Sequence, residues 1–351
     1  MTTYNIQKTS NNQTLYKTKV FESFNYFRLR IAFSLLTMTP IEIKNIRSNE
    51  ANIGISKSEF SFLKLIEKIT NGSNVFISNT GTVVKFSPGI ITNNYGDYFE
   101  FECETERNLS YYLEGLYVIS LFGKESLNCC LIGSSNNDID LSLDCFKVLI
   151  QNFTSKIVYG DSCSIDIKGR SFYNSLNKAK VNVKIPIVKF IEPFNLTYTG
   201  KFKKIKGNYF AVNLKNNNIN KDFIDSVRII FNKLINDVWI EKNVVNDRTM
   251  YTLNRDSDNS NNSTNSTNNN NRPCIAISLY AESSDDTVLT YDETVNNLNS
   301  FNSYVSNNNE DNNNTDELEN DEKDSENNKT AIYPLVENIC SKFLEEVYYV
   351  R

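Results

Sequence analysis

Apolar positions recur at helical spacing over Asn25–Met38, where Phe27, Ile31 and Leu35 share a face. They do so again over Ser58–Thr70, where Phe60, Leu63 and Ile66 precede a stop at Asn71 and Gly72. Alternating or short apolar runs predict strands at Val75–Ile77, Thr82–Phe86 and Tyr98–Glu102. A helix over Arg107–Phe122 leads to a strand at Leu127–Ile132, and a helix over Asp140–Phe153 to strands at Ser164–Ile167 and Val181–Ile187. Helix pairs separated by short strands predict an α+β fold of repeated units sharing a sheet. Pro186 and Pro193 bracket a change of character. Beyond them run a basic strand at Lys201–Leu214, a helix at Lys221–Asn236 and strands at Val238–Glu241 and Cys274–Ala281. The pattern therefore divides the chain into a large domain (1–188 and 283–351) interrupted by a smaller α+β domain (189–282).

Composition changes this picture in two places. The Asn-rich run 255–272 and the acidic run 299–330 carry too few apolar residues to offset ordering entropy, so both read as disordered insertions. The 351 residues include 37 Lys and Arg against 42 Asp and Glu, a net charge of −5, but nine of the acids and only two of the lysines lie between Phe301 and Thr330. Elsewhere 35 cations face 33 acids, and the folded part is mildly basic. No run approaches the roughly 18 apolar residues needed to span a bilayer, and Met1–Lys19 lacks the apolar core of a signal peptide, so a soluble intracellular protein is expected.

Histidine is absent, which removes Ser-His-Asp and Cys-His catalysis, His-Cys zinc sites and histidine-linked intermediates. The seven cysteines include no C-x-x-C pair and are odd in number, consistent with free thiols rather than a zinc ribbon or a complete disulfide framework. Twelve scattered glycines form neither a Walker loop nor a dinucleotide fingerprint. Asp138, Asp140 and Asp144 either flank a metal or, in the commoner role of short acids, include in Asp138 or Asp140 the cap of the following helix. The run Lys201, Lys203, Lys204 and Lys206 suits phosphate contact or a lysine-protected strand edge. Strict alternation places Lys201, Lys203 and Ile205 on one face and Phe202, Lys204 and Lys206 on the other. Arg28 and Arg30, two apart on a helix, point to different faces, one toward a groove and the other to solvent.

Nine collinear blocks resemble the RNA 3′-terminal phosphate cyclase-like proteins, the ribosome-biogenesis relatives of the RNA 3′-phosphate cyclases. They are NYFRLRIAFSLL (Asn25–Leu36), KNIRSNEANIGI (Lys44–Ile55), ITNGS (Ile69–Ser73), NTGTVVKFSPG (Asn79–Gly89) and YYLEGL (Tyr111–Leu116), then GKFKKIKGNYF (Gly200–Phe210), DSVRIIFNKLINDVWI (Asp225–Ile240), ISLYAES (Ile277–Ser283) and FLEEVYY (Phe343–Tyr349). The resemblance implies a large domain of repeated βαβαββ-type units, similar to the initiation-factor-3 C-terminal fold, with a smaller α+β domain inserted. True cyclases adenylylate a C-terminal histidine and position the nucleotide with a Gly-rich N-terminal motif. Here histidine is missing and ESFNYFRLR (Glu22–Arg30) stands where glycines are expected, so the family's adenylyl transfer is excluded.

The resemblance further implies a non-catalytic nucleolar assembly factor for the small ribosomal subunit. Such a factor binds a large ribosome-biogenesis GTPase and the small-subunit pre-rRNA particle, needs no cofactor or metal, and is monomeric outside that complex. Arg28, Arg30, Lys201, Lys203, Lys204 and Lys206 are its candidate RNA or partner contacts. The alternative is an RNA-processing enzyme, an endonuclease or divergent cyclase, with Asp138, Asp140 and Asp144 as its acids. Three departures from the family pattern stand out. GRSFYNSLNKAK (Gly169–Lys180) replaces a Gly-rich loop, Ile53 replaces a proline, and the pattern stops soon after FLEEVYY, which leaves an exposed sheet edge or core face expected where further elements pack.

Overall fold

The computed structural model describes residues 17–349 except 159–162, 173–177, 192, 196, 213, 215–216, 246–273 and 296–316. The Asn-rich run 255–272 and the middle of GRSFYNSLNKAK lie outside the described residues.

Two successive segments have the same topology. The first runs β1 (Lys19–Glu22), α1 (Phe27–Thr37), β2 (Ile41–Lys44), α2 (Lys57–Ile69), β3 (Thr70–Asn71), β4 (Asn74–Ile77), β5 (Val84–Ser87) and β6 (Ile90–Ile91). Its sheet order is β1-β2-β5-β4, and β3 pairs separately with β6. The second runs β7 (Phe99–Glu102), α3 (Leu109–Ser120), β8 (Leu127–Gly133), α4 (Leu143–Ile157), β9 (Ser164–Gly169) and β10 (Ala179–Ile185), with sheet order β7-β8-β10-β9. In each, the first two strands pair in parallel across a helix and the remaining pairings are antiparallel. This is the βαβαββ unit, twice. The units do not share one sheet, as periodicity had suggested: each closes its own four strands, because the final hairpin folds back against the second strand.

The third sheet has order β12-β11-β13-β14, from β11 (Phe202–Val212), α5 (Asn217–Asn232), β12 (Asp237–Val245), β13 (Cys274–Ser283) and β14 (Val288–Val295). The helix α6 (Glu317–Tyr349) follows and packs on α5 and β14. Contacts divide the chain into two units. One holds the first two sheets with α1, α2 and α3; the other holds α4, residues 170–178 and everything from Pro193 onward. The sequence reading returned the chain to the large domain at 283. In the structure β14 pairs with β13 from Ile275 to Glu282, and Ile332, Val336, Ile339, Cys340 and Phe343 of α6 join the core beneath the third sheet. The helix α6 also begins inside the acidic run that reads as disordered, and the apolar stripe of its C-terminal half anchors it.

Local chemistry explains the element boundaries. Ser56 caps α2: its Oγ accepts the Glu59 N–H (3.1 Å), and Glu59 Oε2 accepts the Ser56 N–H (2.8 Å), a reciprocal capping box. Arg47 clamps the same carboxylate through both terminal nitrogens, at 2.7 and 2.9 Å. Gly115 of α3 lies against the Phe62 ring of α2, where an added Cβ would sit 2.6 Å from the ring, so this crossing requires glycine.

Candidate functional site

Lys203, Lys204 and Lys206 lie on β11 and Lys201 immediately precedes it; β11 is an interior strand between β12 and β13 and not a sheet edge. The register of β11 against β13 shifts between Phe202 and Lys204, a β-bulge that inserts one residue. Strict alternation therefore fails: Phe202 and Ile205 are both buried in the same core, and Lys203 and Lys204 between them are both exposed. From Ile205 onward alternation holds, with Ile205, Tyr209 and Ala211 in the core and Lys204, Lys206 and Asn208 on the opposite face.

Register assigns the neighbours on that opposite face. Lys206 pairs across β12 with Trp239 and across β13 with Tyr280; Lys204 pairs with Asp237 and Glu282. Trp239, the chain's only tryptophan, is 65% exposed, while its strand neighbours Val238 and Ile240 pack into the core. Lys206 Nζ meets Glu282 Oε1 at 2.6 Å and Lys204 Nζ meets Asp237 at 3.9 Å. Lys201 and Lys203 form no ion pair among the described residues. The result is an exposed indole next to a cross-strand lysine, with two uncompensated lysines at the adjoining strand end. Trp239 escaped the sequence reading, although the alternation in DVWIE (Asp237–Glu241) already set it opposite Val238 and Ile240.

Further along the same face the sheet is covered by a buried polar network. Asp144, 4% exposed, accepts Arg170 Nε (2.8 Å) and Nη2 (2.7 Å) and also Asn208 Nδ2 (2.8 Å). The carboxylate raises the Arg170 pKa above the ordinary arginine value. Phe172 stacks on Phe210 with ring centroids 4.8 Å apart, closing this end of the sheet. Ser142 Oγ bonds Ser278 Oγ (2.8 Å) and accepts the Cys145 N–H (3.3 Å), so Ser142 caps α4, a role neither Asp138 nor Asp140 fills. A serine immediately before the first helical residue reaches the third-position amide with better geometry than acids two and four residues further back. The Ser142 N–H donates to Asp292 Oδ2 (3.0 Å), and burial pushes the Asp292 carboxyl up to about 6. Asp138 and Asp140 line a cleft of about 400 Å³ with Asp292, whereas Asp144 is committed to Arg170. Among the described residues no three Cys, Asp or Glu side chains converge to hold a metal.

The two arginines do point to different faces. Arg28 bonds the Tyr111 carbonyl, meets Glu114 Oε2 at 2.6 Å and stacks over the Tyr111 ring, so it fastens α1 to α3 rather than facing solvent alone. Arg30 lines a groove between β1 and α1, where Nη1 donates to the Glu22 and Ser23 carbonyls at 3.1 and 2.7 Å. In the β1–α1 turn, Ser23 (φ 63°) and Tyr26 (φ 56°) hold left-handed backbone that glycine adopts without strain. The turn keeps a glycine-suited shape but fills it with side chains.

Two repeats of a βαβαββ unit and a third α+β sheet make up the architecture that the family resemblance implies. The model of the RNA 3′-terminal phosphate cyclase family matches residues 20–313, and the chain belongs to that family. Proteins similar to it include RNA 3′-terminal phosphate cyclase-like proteins. It is 34% identical over 220 residues to the human RNA 3′-terminal phosphate cyclase-like protein, covering 62% of this chain and 57% of that one. It is 35% identical over 227 residues to the probable cyclase-like protein of Caenorhabditis elegans, covering 64% and 58%. It is 28% identical over 228 residues to the rRNA processing protein rcl1 of Schizosaccharomyces pombe, covering 64% and 61%. These matches span about three fifths of the relatives' own length.

Proposed function

We propose that the protein is a non-catalytic assembly factor in small-subunit ribosome biogenesis, acting in the nucleolus on pre-rRNA together with a large biogenesis GTPase. Kinship with cyclase-like proteins, one of them named for rRNA processing, supports the setting. Lack of histidine removes the nucleophile that the family resemblance assigns to adenylyl transfer. The observation that carries an RNA-contact role is the exposed Trp239 beside Lys206, with Lys201 and Lys203 at the adjoining strand end. An exposed indole offers a stacking face for an unpaired base, and the lysines offer phosphate contacts.

The test is anisotropy with a single-stranded segment of pre-rRNA at a series of salt concentrations. Trp239→Ala should weaken binding by between about fivefold and a hundredfold, the range that loss of one base stack produces. The double variant Lys201→Glu and Lys203→Glu should weaken binding most at low salt and flatten its salt dependence. Unchanged affinity in both variants, or metal-dependent cleavage of the RNA by the purified protein, would refute the reading. In cells, the tagged protein should recover small-subunit precursor RNA and a large GTPase.

A further inference from the structure

The groove between β1 and α1 measures about 560 Å³, and its apolar lining includes Phe21, Tyr26, Leu29 and Phe33. Tyr26 and Phe33 are 76% and 58% exposed. Among the described residues, the only charged ones lining it are two cations, Lys19 and Arg30. Contiguous exposed aromatic side chains beside an open sheet edge are uncommon on a surface that faces only water.

The edge itself is geometrically defined. The Lys19 N–H bonds the Pro40 carbonyl and the Ser23 N–H bonds the Lys44 carbonyl, both at 2.9 Å, so the odd-numbered residues of β1 face β2. The N–H groups of Val20 and Glu22 consequently point away from the sheet, and β1 has no second strand partner among the described residues. The Glu22 carboxylate accepts Asn45 Nδ2 at 2.6 Å. Arg30 uses only Nη1 in its bonds to the Glu22 and Ser23 carbonyls, which leaves Nε and Nη2 as donors. Partial burial lowers the Arg30 pKa from its ordinary value, the signature of a cation desolvated without a carboxylate to compensate.

We infer that this groove binds an extended segment of a partner protein that adds a strand to β1, lays alternate apolar side chains against Tyr26, Leu29 and Phe33, and sets a carboxylate on Arg30 and Lys19. Backbone donors in a row select a peptide strand, alternation at the pleat spacing fills the apolar wall, and the two cations, which have no carboxylate partner among the described residues, select the charge. An RNA strand fits less well, because the apolar lining has no phosphate partner and the sheet edge needs backbone amides. The inference is independent of the RNA-contact reading, which concerns the third sheet.

The test uses the full chain and two labelled decapeptides of alternating valine and threonine, one with aspartates at its centre and one with lysines there. The aspartate peptide should bind at least about tenfold more tightly than the lysine peptide, and should slow amide exchange at Val20 and Glu22. Phe33→Asp, a change at an exposed position, should abolish binding, and Arg30→Met should erase the charge preference. Each of several results would overturn the inference: equal binding of the two peptides, no binding of either up to about 1 mM, protection elsewhere, or binding that survives Phe33→Asp. Two further results would reassign the groove and equally overturn it, namely self-association lost in Phe33→Asp, which makes a second copy the occupant, and protection of Val20 and Glu22 by a ten-nucleotide RNA.

Discussion

Asp292 is the clearest point at which the structure stores free energy in a charge. Its carboxyl sits in the third sheet's covered face, and burial raises its pKa from an ordinary 3.8 to about 6; repulsion from Asp144 adds to the rise, and the Ser142 N–H bond opposes it. Below about pH 3.8 the group is protonated in both folded and unfolded chains and costs nothing. Between about 3.8 and 6 the unfolded chain loses the proton first, so stability falls as pH rises. Above about 6 the native carboxylate is ionised too, and the full penalty is present. At 1.36 kcal/mol per unit, this amounts to about 3 kcal/mol at neutral pH. Asp292→Asn keeps an oxygen to accept the Ser142 N–H and removes the charge, while the cleft that Asp292 lines leaves the new NH2 within reach of water. Urea unfolding of both proteins at a series of pH values isolates the effect, since carboxylates other than its neighbour Asp144 cancel in the difference. The variant should match the wild type near pH 3.5 and exceed it by about 3 kcal/mol at pH 7.5, with the gap opening between about pH 4 and 6. A gap independent of pH, or a variant less stable at pH 7.5, would refute the reasoning.

Three further outcomes follow from the geometry. Arg170→Met strands the buried Asp144 carboxylate and should cost about 3–5 kcal/mol in chemical denaturation, and adding Asp144→Leu should restore most of it. Arg28→Ala loses the Tyr111 carbonyl bond and the partly exposed Glu114 pair, so a smaller loss of about 1–2 kcal/mol is expected, with RNA affinity unchanged. The seven cysteines are thiols rather than disulfides, and burial holds Cys129 and Cys340 up at about 12 and pushes the Cys103 and Cys145 thiols well above their ordinary value. A thiol reagent should therefore label half-buried Cys274 first and the rest only on unfolding, a mass-spectrometric time course.

What was legible in the sequence follows from how far apart the interacting residues lie. Phe27, Ile31 and Leu35 of α1 interact with their neighbours at helical spacing, so periodicity alone found the helix, and all three are buried. The strand β2 is four residues long and β14 alternates no clear apolar set, so neither carried a usable signal. Asp144 meets Arg170 from 26 positions away and Asn208 from 64, and no local pattern encodes such a meeting. The cluster Asp138, Asp140 and Asp144 looked like a unit because it is tight in sequence, yet its last member turns inward to an arginine while the first two line a cleft.

The basic run shows the same limit at the scale of one residue. Alternation through Lys201–Lys206 is a sound rule for a pleated strand, and a single bulged residue at Lys203 reverses the face of everything before it. That reversal buries Phe202 and leaves Lys203 beside Lys204 on the surface, so the positive charge gathers at the strand end. Past the bulge the rule recovers, and it sets Lys206 level with Trp239 on one side and Tyr280 on the other. A one-residue deletion of Lys203 would therefore do more than remove a charge. It would remove the bulge itself, so that Phe202, Lys204 and Ile205 alternate strictly, Phe202 and Ile205 keep the core face, and the protein should stay folded with RNA binding weakened by the lost lysine. Lys203→Ala keeps the bulge and should leave stability within about 0.5 kcal/mol of the wild type. A deletion variant much less stable than the alanine variant in thermal unfolding would show that the bulge alone does not set the face.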